Sequence, residues 1–128
     1  MRTEDLVKLV DTSCWVQALR QNGDPLVRER VRALMEAGEA AWCPIIRLEL
    51  WNGVGSDHDR RSLHALEDVL PELPLGDEVW QAACELADHC RKAGKTTPVQ
   101  DVLIAACART HGVEVLHDDQ HFTWLMAL

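Results

Sequence analysis

The chain has 128 residues, 47% hydrophobic and 27% charged, the size and make-up of one globular domain, which excludes a disordered or fibrous protein. No apolar run approaches the ~18 residues of a membrane-spanning helix, and the opening stretch MRTEDLVKLVD lacks the longer apolar core and small-residue cleavage site of a secretory leader. The net charge of −8 argues against strong unaided binding to nucleic acid phosphates, which usually takes a basic face, and suggests a partner with a basic segment.

Residues 6–10 alternate loosely and end at Asp11, with Thr12 and Ser13 after it, which reads as a buried strand running into a helix start. Asp24-Pro25 opens a helix to about Ala37, and Gly38 stands where a terminating glycine belongs. Residues 40–46 form a second short apolar run, broken by Pro44. Residues 47–52 look like one or two helical turns carrying Glu49, and residues 58–70 like a helix with a polar face. Residues 73–75 are a weak strand candidate.

Asp77 is then expected to cap a helix with apolar positions Val79, Ala82, Ala83, Leu86, Ala87 and Cys90, a stripe of helical period ending near Gly94. Thr97-Pro98-Val99-Gln100 reads as a capping box with proline at the first helical position. Asp101 falls in the first turn of that helix, and residues 102–108 are apolar nearly all round, so the helix should be buried. Gly112 ends it. Residues 113–116 make a last strand, with His117, Asp118 and Asp119 at or past its end, and residues 122–128 a final helix.

Strands alternating with helices imply an α/β fold with a mostly parallel sheet covered on both faces. No repeat or linker divides residues 1–128, so one domain is expected. The cysteines Cys14, Cys43, Cys84, Cys90 and Cys107 are odd in number, form no C-x-x-C pair and mostly lie among apolar residues. Buried, reduced thiols and a cytoplasmic location follow. Cys84, His89 and Cys90 match no standard zinc spacing.

Four acids then stand out: Asp11 in LVDTS, Glu49 in RLELW, Asp101 in VQDVLIAA and Asp119 in VLHDDQHF. In a parallel sheet the ligand site lies beyond the carboxyl ends of the strands, which is where Asp11 and Asp119 fall. Two like charges ~4 Å apart repel by ~1 kcal/mol in water and ~4 kcal/mol at a protein-like dielectric. A cluster of acids therefore needs protons or a cation. Oxygen ligands favour Mg²⁺ or Mn²⁺, and one or two such ions suit hydrolysis of a phosphodiester, with an acid accepting the proton of the attacking water. Taken singly, each acid is more often a helix cap or a solvated charge. Asp101 is the exception, because a carboxylate leading a buried helix is costly unless paired or metal-bound.

The ordered set LVDTS, an acid in a short helix after the second strand, QDVLIAACA and VLHDDQHF resembles the PIN-domain nucleases, and among them the VapC-type toxins of bacterial toxin–antitoxin pairs, from Lys8 to the C-terminus. The resemblance implies a three-layer sandwich with a central sheet of four or five strands. It also implies Mg²⁺- or Mn²⁺-dependent endoribonuclease activity. Asp11 and Asp101 would be the main metal ligands, Glu49 and Asp119 would complete the site, and Ser13 would hydrogen-bond within it. A second copy of the chain and a small antitoxin with a basic C-terminal segment would be its partners. One departure is plain: many relatives carry D-x-D-F where this chain has Asp119-Gln120-His121-Phe122. His121 replaces the second acid, which leaves it as a phosphate contact or, the commoner case, a surface residue, and only one of Asp118 and Asp119 should face the site.

Among the five tryptophans, Trp15 and Trp51 follow site acids closely and are the best candidates for base stacking, although core or dimer packing is the commoner use of such residues. Arg47 and Lys95 are candidates for phosphate contacts. Two other classes remain open. One is a receiver-like signalling module, which also groups acids at strand ends but wants a lysine after its last strand. The other is a PIN-like scaffold that binds RNA without cutting it.

Overall fold

The computed structural model describes residues 7–128, so Leu6, at the head of the first expected strand, lies outside them. Three short parallel strands, β1 (Lys8–Val10), β2 (Ala40–Ala41) and β3 (Glu114–Leu116), pair in the order β2-β1-β3. β1 is central: Leu9 faces Ala41 on one side and Val115 on the other, and Val10 faces Leu116. Leu9 and Val10 point to opposite faces of the sheet, and both are completely buried, so helices cover both faces.

Helices α1 (Thr12–Leu19) and α2 (Pro25–Ala37) join β1 to β2. Helices α3 (Pro44–Asn52), α4 (Asp57–Val69), α5 (Asp77–Lys92) and α6 (Val99–His111) lie between β2 and β3, and α7 (Gln120–Leu125) follows β3. Two helices end as their glycines dictate: Gly38 and Gly112 sit in the left-handed region, with φ of 70° and 69°, where only glycine is unstrained.

The sheet is narrower than the four or five strands expected, for identifiable reasons. Pro44 fits the first helical turn, where its missing N–H costs nothing, so α3 begins there with Cys43 as its N-cap and β2 stops after two residues. The weak strand at 73–75 is reduced to one parallel bridge between Trp42 and Glu72. Its neighbours Pro71 and Pro74 have no N–H to donate, so the ladder cannot grow past that bridge.

Two expected caps also differ. Asp77 is the first residue of α5 behind Gly76, and Pro98 precedes α6 as its N-cap; neither helix has a side-chain cap hydrogen bond. The dipole of each still meets an acid in the first turn, Asp77 and Glu78 in α5 and Asp101 in α6.

α6 is the spine of the core. Val102, Leu103, Ile104, Ala105, Ala106, Cys107 and Ala108 are all buried, and the helix packs against α3, α5, α7 and β3. Trp15 and Trp42, each 1% exposed, pack edge to face with ring centroids 6.3 Å apart. Trp15 is therefore core and not a platform for bases. Cys14, Cys43, Cys90 and Cys107 are buried free thiols, while Cys84 is exposed. Cys84 and Cys90 thus lie on different faces of α5, and no zinc set forms there among the described residues.

Candidate active site

The parallel pairing of β1 with β3 brings their carboxyl ends side by side, and the Asp11 N–H donates to the Leu116 carbonyl at 2.9 Å. Asp11 begins α1 as its N-cap, and Asp119 does the same for α7. A residue that leaves a strand and caps the next helix has its carboxylate at the strand's end by construction. Asp101 reaches the same edge from the first turn of α6, and Glu49 from the middle of α3.

Each carboxylate is held. Asp11 is 5% exposed and accepts from Ser13 Oγ at 2.6 Å and Ser13 N at 3.3 Å. Glu49 accepts from Thr12 Oγ1 at 2.9 Å. Asp119 accepts from His121 N at 2.9 Å, and its own N–H lies 3.4 Å from His117 Nδ1. His117 also packs on Phe122, with centroids 5.4 Å apart. Asp118 is exposed and Asp119 half-buried, so of the adjacent pair only Asp119 faces inward.

The electrostatics are those of one crowded pocket. Burial pushes the Asp11 carboxyl above its ordinary range, with the charge of Asp119 adding to the rise. Burial raises Glu49 too, against the Thr12 hydrogen bond and with a contribution from Asp11. Asp101 is pushed up to about 6, first by burial and then by the charges of Asp11 and Asp119, with Glu49 a smaller contributor; His121 opposes the rise. Acids from four separate segments therefore feel one another. Among the described residues no lysine or arginine forms an ion pair with any of the four.

His121 does not lie free at the surface. Its Nδ1 is buried, 3.0 Å from Asp119 Oδ1 and 3.4 Å from Asp101 Oδ2, yet directed so that it makes no hydrogen bond. One donor atom from each of Asp101, Asp119 and His121 lies within 4.8 Å of the other two. The side chain expected at the surface is 34% exposed, and its buried Nδ1 follows from the turn into α7, where Asp119 binds the His121 N–H. The four-residue pattern D-Q-H-F at a helix start was the available signal.

Arg47 is not a free cation for phosphate. Its Nε is 2.6 Å from Glu72 Oε1 and its Nη1 3.8 Å from Glu67 Oε2. Lys95 lies over the Trp124 ring, 5.5 Å from its centroid. A concavity of about 710 Å³ abuts the acids through Glu49; Arg20, Arg28 and His58 stand on its wall.

Residues 8–124 match the PIN domain family. The chain belongs to the PIN-domain family. A receiver module has a different fold, so that alternative falls away. Among curated proteins this PIN domain is 36% identical over 118 residues to VapC ribonuclease Mb1587 of Mycobacterium bovis, covering 89% of this chain and 87% of the relative. It is 32% identical over 127 residues to ribonuclease VapC18 of Mycobacterium tuberculosis, covering 96% and 90%. Its fold matches that in the crystal structure of FitAcB from Neisseria gonorrhoeae with a TM-score of 0.77 at 19% identity, over 95% of this chain and 94% of that one. It also matches VapBC2 from Rickettsia felis bound to a promoter DNA fragment, with a TM-score of 0.75 at 17% identity over 89% and 88%.

The donor set fits a divalent cation. Carboxylate oxygens of Asp101 and Asp119 and one imidazole nitrogen lie within 4.8 Å of one another, with the charges of Asp11 and Glu49 near enough to act on Asp101, where burial makes unneutralised charge costly and the described residues supply no lysine or arginine to offset it.

Proposed function

We propose that this PIN domain is a Mg²⁺- or Mn²⁺-dependent endoribonuclease that acts as the toxin of a toxin–antitoxin pair. The observation that carries the proposal is the gathering of Asp11, Glu49, Asp101 and Asp119 at the carboxyl edge of the sheet, where their charges act on one another and no lysine or arginine among the described residues pairs them. Proteins keep such clusters for function, since removing buried unpaired charge would stabilise the fold.

Asp11 and Asp101 are assigned as the main metal ligands, with Asp119 beside them. A divalent ion held there would supply positive charge at the scissile phosphate and acidify a water. Glu49 orients the attacking water and accepts its proton; Thr12 Oγ1 fixes one of its oxygens. The Ser13 hydroxyl, donating to Asp11 Oδ2, holds that carboxylate in place.

RNA as substrate is supported by the relatives' names as ribonucleases, and the ion would supply positive charge that a chain of net charge −8 lacks. An antitoxin partner is supported by VapBC-5 from Mycobacterium tuberculosis, a neighbour in fold named as a member of the VapBC family of toxin–antitoxin systems, and a basic tail on that partner would complement the acidic pocket. A second copy of the chain is assigned to the apolar groove of about 540 Å³ formed by α5 and the start of α6, where Trp80 and Val99 are exposed. Free thiols fit a cytoplasmic setting.

Purified protein should cleave single-stranded RNA with Mg²⁺ or Mn²⁺ and stop on chelation. Asp101→Asn should abolish cleavage and growth inhibition while leaving the circular dichroism spectrum unchanged. Full activity in that variant would refute the assignment, and RNA binding without cleavage in either metal would favour the scaffold instead.

A further inference from the structure

We infer that His121 is a nitrogen ligand of this metal site and shifts its preference from Mg²⁺ toward first-row transition dications; the inference rests on the metal-dependent reading above. The ring is fixed and aimed. Asp119 anchors its backbone N–H at 2.9 Å, and Trp124 meets it edge-on at a centroid distance of 6.0 Å and 90°. Trp124 in turn carries Lys95 on its face. The side chain as a whole is 34% exposed, but Nδ1 is completely buried and without a hydrogen bond.

A polar nitrogen buried between two carboxylates and bonded to neither is poorly placed to act as an ordinary hydrogen-bond donor. It is well placed to direct its lone pair at an ion that Asp101 and Asp119 also hold. The spread of at most 4.8 Å among the three donor atoms is close to what one ion spans, since ligands 2.0–2.1 Å from an octahedral centre stand roughly 3–4 Å apart.

Chemistry then sets selectivity. Mg²⁺ is hard and gains little from imidazole, whereas affinity for nitrogen donors rises from Mn²⁺ through Co²⁺ to Ni²⁺. An aspartate at position 121 would leave an all-oxygen set with no such bias. The competing role for His121 is that of a protonated counter-ion to Asp101 and Asp119, which would oppose every dication alike.

The test measures metal binding to the full chain by calorimetry, without RNA, for Mg²⁺, Mn²⁺ and Co²⁺, in the wild type and in His121→Asn. Nitrogen-14 couplings in the pulsed electron paramagnetic resonance spectrum of the wild-type Mn²⁺ complex provide a readout independent of any variant. The expected result is a direct nitrogen coupling, and a Co²⁺-to-Mg²⁺ affinity ratio that falls by roughly tenfold or more in His121→Asn, with Mn²⁺ between. Absence of the coupling, or equal strengthening of all three ions in the variant, overturns the inference in favour of the counter-ion. RNA cleavage is scored separately. Cleavage with no nitrogen ligand leaves the nuclease assignment standing and removes this one, and a nitrogen-bound ion in a protein that cuts no RNA does the reverse.

Discussion

On the outer helices acids and bases are matched. Arg32 joins Glu29 and Glu36 on α2, Asp88 meets Arg91 and Lys92 at 2.8 Å on α5, and Glu72 meets Arg47 at 2.6 Å. These partners hold Glu29 below the usual carboxylate range and Asp88 down to about 2. At the carboxyl edge of the sheet the same residue types are pushed the other way, with Asp11, Glu49 and Asp101 raised and no lysine or arginine at hand among the described residues. Exposed ion pairs contribute little to stability, whereas unpaired buried charges cost much. A chain selected for stability alone would place its cations the other way round. The outer pairs serve solubility and local helix structure, and the inner cluster has the electrostatics that the proposed metal site requires.

The comparison is broken most sharply at Asp101. Asp101→Asn should lower cleavage on the order of 10³-fold, as expected for loss of a group that organises charge at the reaction centre. The same variant should be the more stable protein when divalent ions are absent and the pH is above about 6. The sign follows from the raised proton affinity. Between the ordinary value of 3.8 and about 6, the folded state keeps a proton that the unfolded state has lost. That stabilisation is complete below the lower value and is lost as pH rises through the upper one. Asparagine mimics the protonated form, so thermal melts in chelator should favour it increasingly from pH 4 to 7. Mn²⁺ should raise the melting temperature of the wild type and leave the variant nearly unmoved.

Glu49→Gln should slow cleavage by roughly 10²-fold or more through loss of a proton acceptor, with metal affinity changed much less; single-turnover kinetics beside calorimetry separate the two. Ser13→Ala leaves Asp11 its bond from the Ser13 backbone N–H, so a loss of roughly tenfold in the cleavage rate is expected. At the other end of the scale, Arg32→Ala breaks two exposed pairs. It should leave cleavage unchanged and the melting temperature nearly so, with any small difference vanishing at high salt.

Local signals made much of this protein legible without coordinates. Gly38 and Gly112 mark helix ends because an αL residue is costly for any side chain but hydrogen. The continuous apolar run after Asp101 announces a helix buried all round, and short apolar runs before Asp11 and Asp119 place those acids at strand ends. Pro71 and Pro74 also held the reason why the sheet stays at three strands, although only the pairing of Trp42 with Glu72 revealed how little strand was left. Tertiary structure alone decided which atoms face each other: that Thr12 holds Glu49 from a different helix, that Arg47 is taken up by Glu72, and that His121 turns its Nδ1 inward between Asp119 and Asp101. Periodicity and propensity act over a few residues and set elements. The direction of a side chain at a strand end depends on the register between β1 and β3 and on the helix that docks beside it, contacts made between segments more than a hundred residues apart.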